Sequence, residues 1–199
     1  MSEPADRKTN RQEEIIEAAV KLFSDNGFHN TAVQTLADAV GLNKATLYYH
    51  IHSKEELLYR IHRAIIDDFL ADLDAICAQP NLTPTDRLHR AIQAHIRHVA
   101  ERQAEVKIFF RERDSIGEEM RVRIAERRRR YQDLLVGIIE EGMAAGEFRD
   151  VDAKVVASFI VGMSNWLYQW YEPGGRLTAD EIAKAASKFA LAGLRATDG

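Results

Sequence analysis

The chain has 199 residues, 46% of them hydrophobic and 29% charged, enough apolar material for a packed core in one or two soluble, globular domains. The net charge of −4 excludes the strong cationic footprint usual in nucleic-acid binders, and a single cysteine, Cys77, excludes an intramolecular disulfide and fits a reducing cytoplasm. No run approaches the roughly 18 apolar residues of a membrane span, and the opening MSEPADRKTNR lacks a signal peptide's apolar stretch, so neither export nor membrane association is expected.

Residues 1–8 are polar and unpatterned and are expected to be disordered. Thr9 with Gln12 is a capping pattern for a first helix with Ile15, Ile16, Ala19, Leu22 and Phe23 on one face, ending at Asp25-Asn26-Gly27. Arg7, Lys8 and Arg11 form either a solvated tail or a reach toward a phosphate or minor groove. Residues 31–57 then read as two short helices and the start of a third. Val33, Leu36, Ala37 and Val40 give the first an apolar stripe, Thr31 and Gln34 its capping pattern, and Gly41 its end. The second starts near Asn43 and turns Leu47 and Ile51 inward, leaving Lys44, Thr46, Tyr48, Tyr49 and His50 outside. Ser53 and Glu56 form a capping box for the third.

Two helices crossing at a glycine turn are either an αα-corner or a helix-turn-helix, whose second helix enters the DNA major groove. The outward set of lysine, threonine, tyrosine and histidine favours DNA, because these side chains partner phosphates and base edges. The first 54 residues carry six basic side chains against seven acidic ones, so only modest salt dependence is expected. Helix N-termini and hydroxyls can also hold phosphates, and Glu13, Glu14 and Glu17 can face away from DNA.

The third helix is expected from Lys54 to Cys77, with Leu57, Leu58, Ile61, Ile65, Phe69 and Leu73 buried, and is broken by Pro80-Asn81-Leu82. Thr83 caps the next helix, with Pro84 at its first position. That helix carries Leu88, Ala91, Ile92, His95, Ile96 and Val99. His95 on the apolar stripe is read as a satisfied core histidine, the alternative being a ligand contact. Val106, Phe109 and Phe110 mark a further helix, with Arg113 on its stripe. A long helix follows, roughly residues 118–145, opening with the arginine-rich RVRIAERRRR. Arg123, Arg129 and Arg130 are read as a solvated face. Arg121 and Arg128 alternate with Ile124, Tyr131 and Leu135, which demands either internal partners (Glu112, Asp114, Glu118 or Glu119) or an anionic ligand.

Gly146-Glu147-Phe148 ends that helix. The next, about residues 151–171, carries Val155, Phe159, Gly162, Met163, Trp166 and Trp170, with Ser158, Asn165 and Gln169 as a polar strip. Pro173-Gly174-Gly175 stops it. Thr178 and Glu181 cap a last helix bearing Ile182, Ala186, Phe189, Ala190, Gly193 and Leu194. Two such helices from each of two chains would form a four-helix bundle. No strand pattern or repeat is present, so an all-α fold of about nine helices is expected. No histidine, cysteine or carboxylate set has metal-ligand spacing, and no metal or cofactor is expected.

The segment from Thr9 to Leu57 resembles the DNA-binding domain of the tetracycline-repressor (TetR) family through Ala18, Leu22, Phe23, Gly27, Phe28, Thr31, Leu36, Ala37, Gly41, Leu47, Tyr48 and Lys54. Ile51 stands where relatives usually have phenylalanine, and Gln34 and His50 occupy positions that vary with the operator. The resemblance implies a DNA-binding domain over residues 1–53 and a ligand-binding and dimerisation domain over 54–199. Its DNA-contact candidates are Thr31, Gln34, Thr35, Asn43, Lys44, Ala45, Thr46, Tyr48, Tyr49, His50 and Lys54, with Lys44 and Lys54 expected on phosphates.

The tail from Gly162 to Ala183 resembles TetR-family regulators of fatty-acid or steroid degradation that respond to acyl-CoA thioesters. Asn165, Trp166, Trp170, Tyr171, Pro173, Gly174, Gly175, Arg176 and Leu177 match, whereas Glu172 stands where relatives often have arginine. The implied function is a homodimeric repressor released from a palindromic operator by an acyl-CoA-type effector. Ile92, Phe109, Phe110 and Tyr131 are candidates for the acyl arm, and His95, Asn165 and Gln169 are ligand-binding candidates with no part of the ligand assigned. Arg111, Arg113, Arg121 and Arg128 are candidates for phosphates, and Trp166 or Trp170 for adenine or pantetheine, with core or dimer packing as the tryptophans' alternative role. Rival readings are a regulator sensing an aromatic or other hydrophobic molecule and, remotely, an enzyme acting on acyl thioesters. The last lacks a nucleophile–base set around Cys77 and any nucleophile-elbow pattern.

Overall fold

The computed structural model describes residues 4–196, with side chains from Arg11 onward. The described residues form ten helical segments and no strand: α1 (Pro4–Asn26), α2 (Val33–Ala39), α3 (Lys44–His50), α4 (Lys54–Cys77), α5 (Pro84–Glu101), α6 (Gln103–Arg111), α7 (Glu118–Ala144), α8 (Ala153–Asn165), α9 (Leu167–Trp170) and α10 (Ala179–Leu194). Because α8 and α9 are one expected helix interrupted at Trp166, the all-α, nine-helix architecture stands. Two expectations fail at the start. Helix α1 begins at Pro4, so Thr9 lies inside it rather than capping it, and residues 4–8 are helical. The side chains of Arg7, Lys8 and Thr9 fall outside the described residues.

The chain divides into two compact units, residues 1–65 with 104–124, and residues 66–103 with 125–199. Helices α4 and α7 each run through a division point.

The first unit is built around Ile15, Ala19 and Phe23 of α1, Phe28, Leu36 of α2, Leu47 of α3 and Leu58 and Ile61 of α4, all buried. Each of the isoleucine, leucine and phenylalanine side chains contributes roughly 1.5–3 kcal/mol on leaving water. Segment 104–124 belongs here through specific contacts. Val106, Ile108, Phe109 and Ile116 are buried. The Phe28 N–H donates to the Glu112 carboxylate at 3.3 Å, Lys107 Nζ donates to the Ser24 carbonyl at 3.3 Å, and Ser115 Oγ pairs with His29 Nε2 at 3.0 Å.

The second unit is organised on α5, whose buried Leu88, Ala91, Ile92, His95, Ile96 and Val99 face α10, α8 and α9. Thr83 caps α5, accepting from the Asp86 N–H at 3.1 Å, with Pro84 at the helix start. The Thr178–Glu181 box is complete on α10. At Gly142 an added Cβ would meet the Phe148 ring at 2.1 Å, so this position of α7 must be bare for Phe148 to pack beneath the helix. Arginines of α5 and α7 pair with the acidic face of α4: Arg102 with Asp68, Arg127 with Asp67 at 2.8 Å and Arg130 with Asp74 at 2.7 Å.

Candidate nucleic-acid interface and effector region

Helix α2 ends in a Schellman turn. The Leu42 N–H donates to the Ala37 carbonyl at 2.9 Å, the Gly41 N–H donates to the Asp38 carbonyl at 3.1 Å, and Gly41 sits at φ +65°. The turn delivers Asn43, whose side chain caps α3 by accepting from the Thr46 N–H at 2.8 Å. Helix α3 buries Leu47 and leaves Lys44, Ala45, Tyr48 and Tyr49 exposed, Tyr49 at 73%. Thr46 and His50 are half-buried, and His50 packs edge-on against Tyr49 at 5.4 Å. On α2, Gln34 and Thr35 are exposed, and Gln34 donates to Asp38 at 2.7 Å.

Four sequence expectations change. Thr31 is buried at 2% and donates its hydroxyl to the Gly27 carbonyl at 2.8 Å. It therefore neither caps α2, whose N-cap is Ala32 without a side-chain bond, nor faces outward. Lys54 donates to the Phe28 carbonyl at 2.8 Å and the Thr31 carbonyl at 3.0 Å, and lies 4.3 Å above the Phe28 ring. Its ammonium fastens the loop after α1 to the start of α4, where a phosphate contact was expected. Arg11 donates to the Val40 carbonyl at 2.8 Å and pairs with Glu14, tying α1 to the end of α2 instead of forming a free tail. The Ser53 box is rearranged by one residue: Ser53 accepts from the Glu56 N–H at 3.0 Å, while the Glu56 carboxylate reaches the His52 N–H at 2.8 Å.

The effector candidates separate between the units. In the second, His95 is buried and bonded on both sides, Nδ1 to the Tyr131 hydroxyl at 2.8 Å and Nε2 to Asn165 Oδ1 at 3.0 Å. With Nε2–H donating to the amide oxygen, Nδ1 accepts from the tyrosine, so the neutral ring satisfies every partner. Phe69 stacks on the ring at 4.4 Å. Burial holds His95 near pKa 4 and pushes the Tyr131 phenol up. The space around them admits no water. This is the satisfied core histidine, and Ile92, one turn away, is equally buried. Asn165 is half-buried, while Trp166, Gln169 and Trp170 are exposed.

In the first unit Phe109 is buried, its ring 5.4 Å from Phe110 and 5.0 Å from His62, and Phe110 is exposed. Arg111 and Arg113 are exposed. Arg121, and Arg128 in the second unit, are exposed too, correcting their placement on the buried stripe of α7. Arg121 lies 4.0 Å from Asp114. Arg130 lies on a solvated face as expected and there pairs with Asp74. His62 escaped the sequence reading although it continues the buried Leu58 row of α4 at i+4. Alongside, α1, α4 and α7 border a groove of about 570 Å³ lined by Tyr59, Arg60, Arg63 and Arg123. In the second unit Phe159, Met163 and Phe189 of α8 and α10 border an apolar groove of about 630 Å³, with Phe159 and Phe189 largely exposed.

A capped, tyrosine-bearing short helix set by a glycine turn, within an all-α chain, defines a helix-turn-helix DNA-binding regulator. Residues 15–61 match the family of bacterial regulatory proteins of the tetR family, and residues 81–194 match the tetracyclin repressor-like C-terminal domain. The chain belongs to the TetR family and is a transcriptional regulator, not an enzyme. It is 31% identical to the HTH-type transcriptional repressor KstR2 of Rhodococcus jostii (strain RHA1) over 196 residues, covering 94% of this chain and 92% of that protein. The structure of the TetR family regulator PfmR from Thermus thermophilus superposes with a TM-score of 0.83 at 34% identity, covering 92% of this chain and 99% of that one. AibR, solved in complex with isovaleryl coenzyme A and operator DNA, superposes with a TM-score of 0.81 at 32% identity, over 90% and 97% of the two chains.

Proposed function

We propose that this protein is a homodimeric, cytoplasmic repressor released from a near-palindromic operator by an acyl-CoA thioester. The observation that carries the reading is the similarity to AibR, which spans both the helix-turn-helix and the C-terminal domain of a regulator solved with an acyl-CoA and operator DNA. Residues 1–53 hold the DNA-reading surface. Tyr48, Tyr49 and Thr46 contact base edges or thymine methyls, Lys44 contacts phosphate, and Gln34, Thr35 and Ala45 lie against the duplex beside them. Two copies of α3 enter successive major grooves about 34–36 Å apart. The apolar faces of α8 and α10, including Phe159 and Phe189, supply the dimer contact as a four-helix bundle.

Release requires the effector to bind the DNA-free form more tightly than the DNA-bound form, since a ligand shifts an equilibrium only by its differential affinity. The test is a thermal-shift screen of the purified protein against CoA thioesters, free CoA and the matching free acids. Stabilisation by thioesters alone, followed by loss of operator binding with the best of them, supports the reading. Stabilisation by neutral aromatic compounds and by no thioester replaces it with the hydrophobic-effector alternative.

A further inference from the structure

We infer that Glu112 is a positioning residue for operator recognition, holding from the turn after α6 the loop that aims α2 and α3. That loop, between Asn26 and Val33, sets how α2 leaves α1, and the Gly41 turn passes the direction on to α3. It is gripped at Phe28 from two sides. Lys54 brings positive charge to the Phe28 carbonyl at 2.8 Å, and Glu112 brings negative charge to the Phe28 N–H at 3.3 Å. The Phe28 ring is buried edge-on against Phe23.

Glu112 is itself held in place. It is half-buried, and its other carboxylate oxygen accepts from Ser115 Oγ at 3.0 Å. The Ser115 N–H donates to the Glu112 carbonyl at 3.0 Å, and the Ser115 hydroxyl also meets His29 Nε2 at 3.0 Å. A serine hydroxyl has one proton, so with that proton on Glu112 the oxygen accepts from His29 Nε2–H. Two successive loop residues, Phe28 directly and His29 through Ser115, therefore end on one carboxylate. Lys107 adds a tie from the same segment to the Ser24 carbonyl in the last turn of α1.

A group that acts through the loop changes the fraction of molecules with α3 correctly aimed, and apparent operator affinity scales with that fraction. The charge of Glu112 acts the other way, because removing a carboxylate removes repulsion of the DNA backbone. The two effects have opposite signs.

The inference rests on α3 reading the operator, which Tyr48→Ala tests separately. Affinity is measured for the duplex that the wild type selects from a random-sequence library and for a scrambled duplex of equal length, at a temperature where circular dichroism shows each variant folded. Glu112→Ala should lower the ratio of the two affinities about tenfold, the low end for a bond to a charged group. Glu112→Gln, which keeps an acceptor for the Phe28 N–H, should fall between it and the wild type. Binding of the scrambled duplex should stay equal or tighten. If Glu112→Ala does not fold, Glu112→Gln and Ser115→Ala carry the comparison, each with a ratio lowered about threefold. A wild-type ratio in the folded variants, or equal weakening on both duplexes, overturns the inference. If Tyr48→Ala binds the selected duplex like the wild type, the α3 reading falls, and the role of Glu112 with it.

Discussion

Replacing Lys54 by methionine separates two roles that one ammonium group cannot fill together. In the structure it makes two charge-assisted bonds, at 2.8 and 3.0 Å, to carbonyls on either side of the loop between α1 and α2, and it lies over the Phe28 ring. Hydrogen bonds involving a charged group contribute roughly 1.5–3 kcal/mol each, and a partly exposed cation–π contact about 0.5–1 kcal/mol. Because Lys54 is half-buried and water can reach part of the site, the lower ends apply. Lys54→Met, which keeps the stem, should cost about 3–4 kcal/mol. Urea denaturation followed by circular dichroism measures that loss as a lower midpoint at constant slope. Operator binding should weaken without a change in its dependence on salt. Unchanged stability together with a salt slope reduced by about one phosphate contact would show that Lys54 holds DNA and would refute the structural role.

Tyr48→Ala should abolish operator binding in a mobility-shift assay while the dimer persists in sedimentation, and Lys44→Ala should lower the salt slope by about one. Phe189→Glu places a charge on the apolar face of α10 and should convert the dimer to monomer at micromolar concentration, as read by sedimentation. Gly142→Ala should destabilise the chain by about 1–3 kcal/mol through collision with Phe148, measured by denaturation. His62 and His95 both titrate near pH 4 when folded, below the usual 6.5, so the unfolded chain binds more protons between those values. Stability is then full above about pH 6.5 and lost on acidification. From pH 7 to 5 each histidine should remove about 2 kcal/mol, and a flat stability profile over that range would contradict their burial as neutral rings.

Most of the architecture was legible because it rests on local chemistry. The Gly41 turn, the Thr83-Pro84 start and the Thr178–Glu181 box depend on residues a few positions apart, and each forms as the spacing implies. Thr31 misleads for a physical reason: a threonine hydroxyl can bond forward into the next helix or back into the preceding turn, and here the Gly27 carbonyl takes it. Arg121 and Arg128 sit about 60° and 40° around the helix from Ile124, so they share its row in spacing but lie on the flank. Lys54 and His62 depend on partners, or missing partners, far away in sequence, which periodicity cannot reveal.

The first unit takes its material from two stretches separated by 38 residues, 66–103, that belong elsewhere. A nascent chain therefore emits α1, α2 and α3 well before Val106, Phe109 and Glu112 are made. At synthesis rates of about 5–20 residues per second, the interval between residue 65 and residue 124 lasts roughly 3–12 s. During it the undersides of α1 and α4 remain uncovered and the Phe28 N–H lacks its carboxylate. The helix-turn-helix is thus early in the gene but late to mature, and a fragment cut after α4 would carry the DNA-reading side chains on an unfinished core.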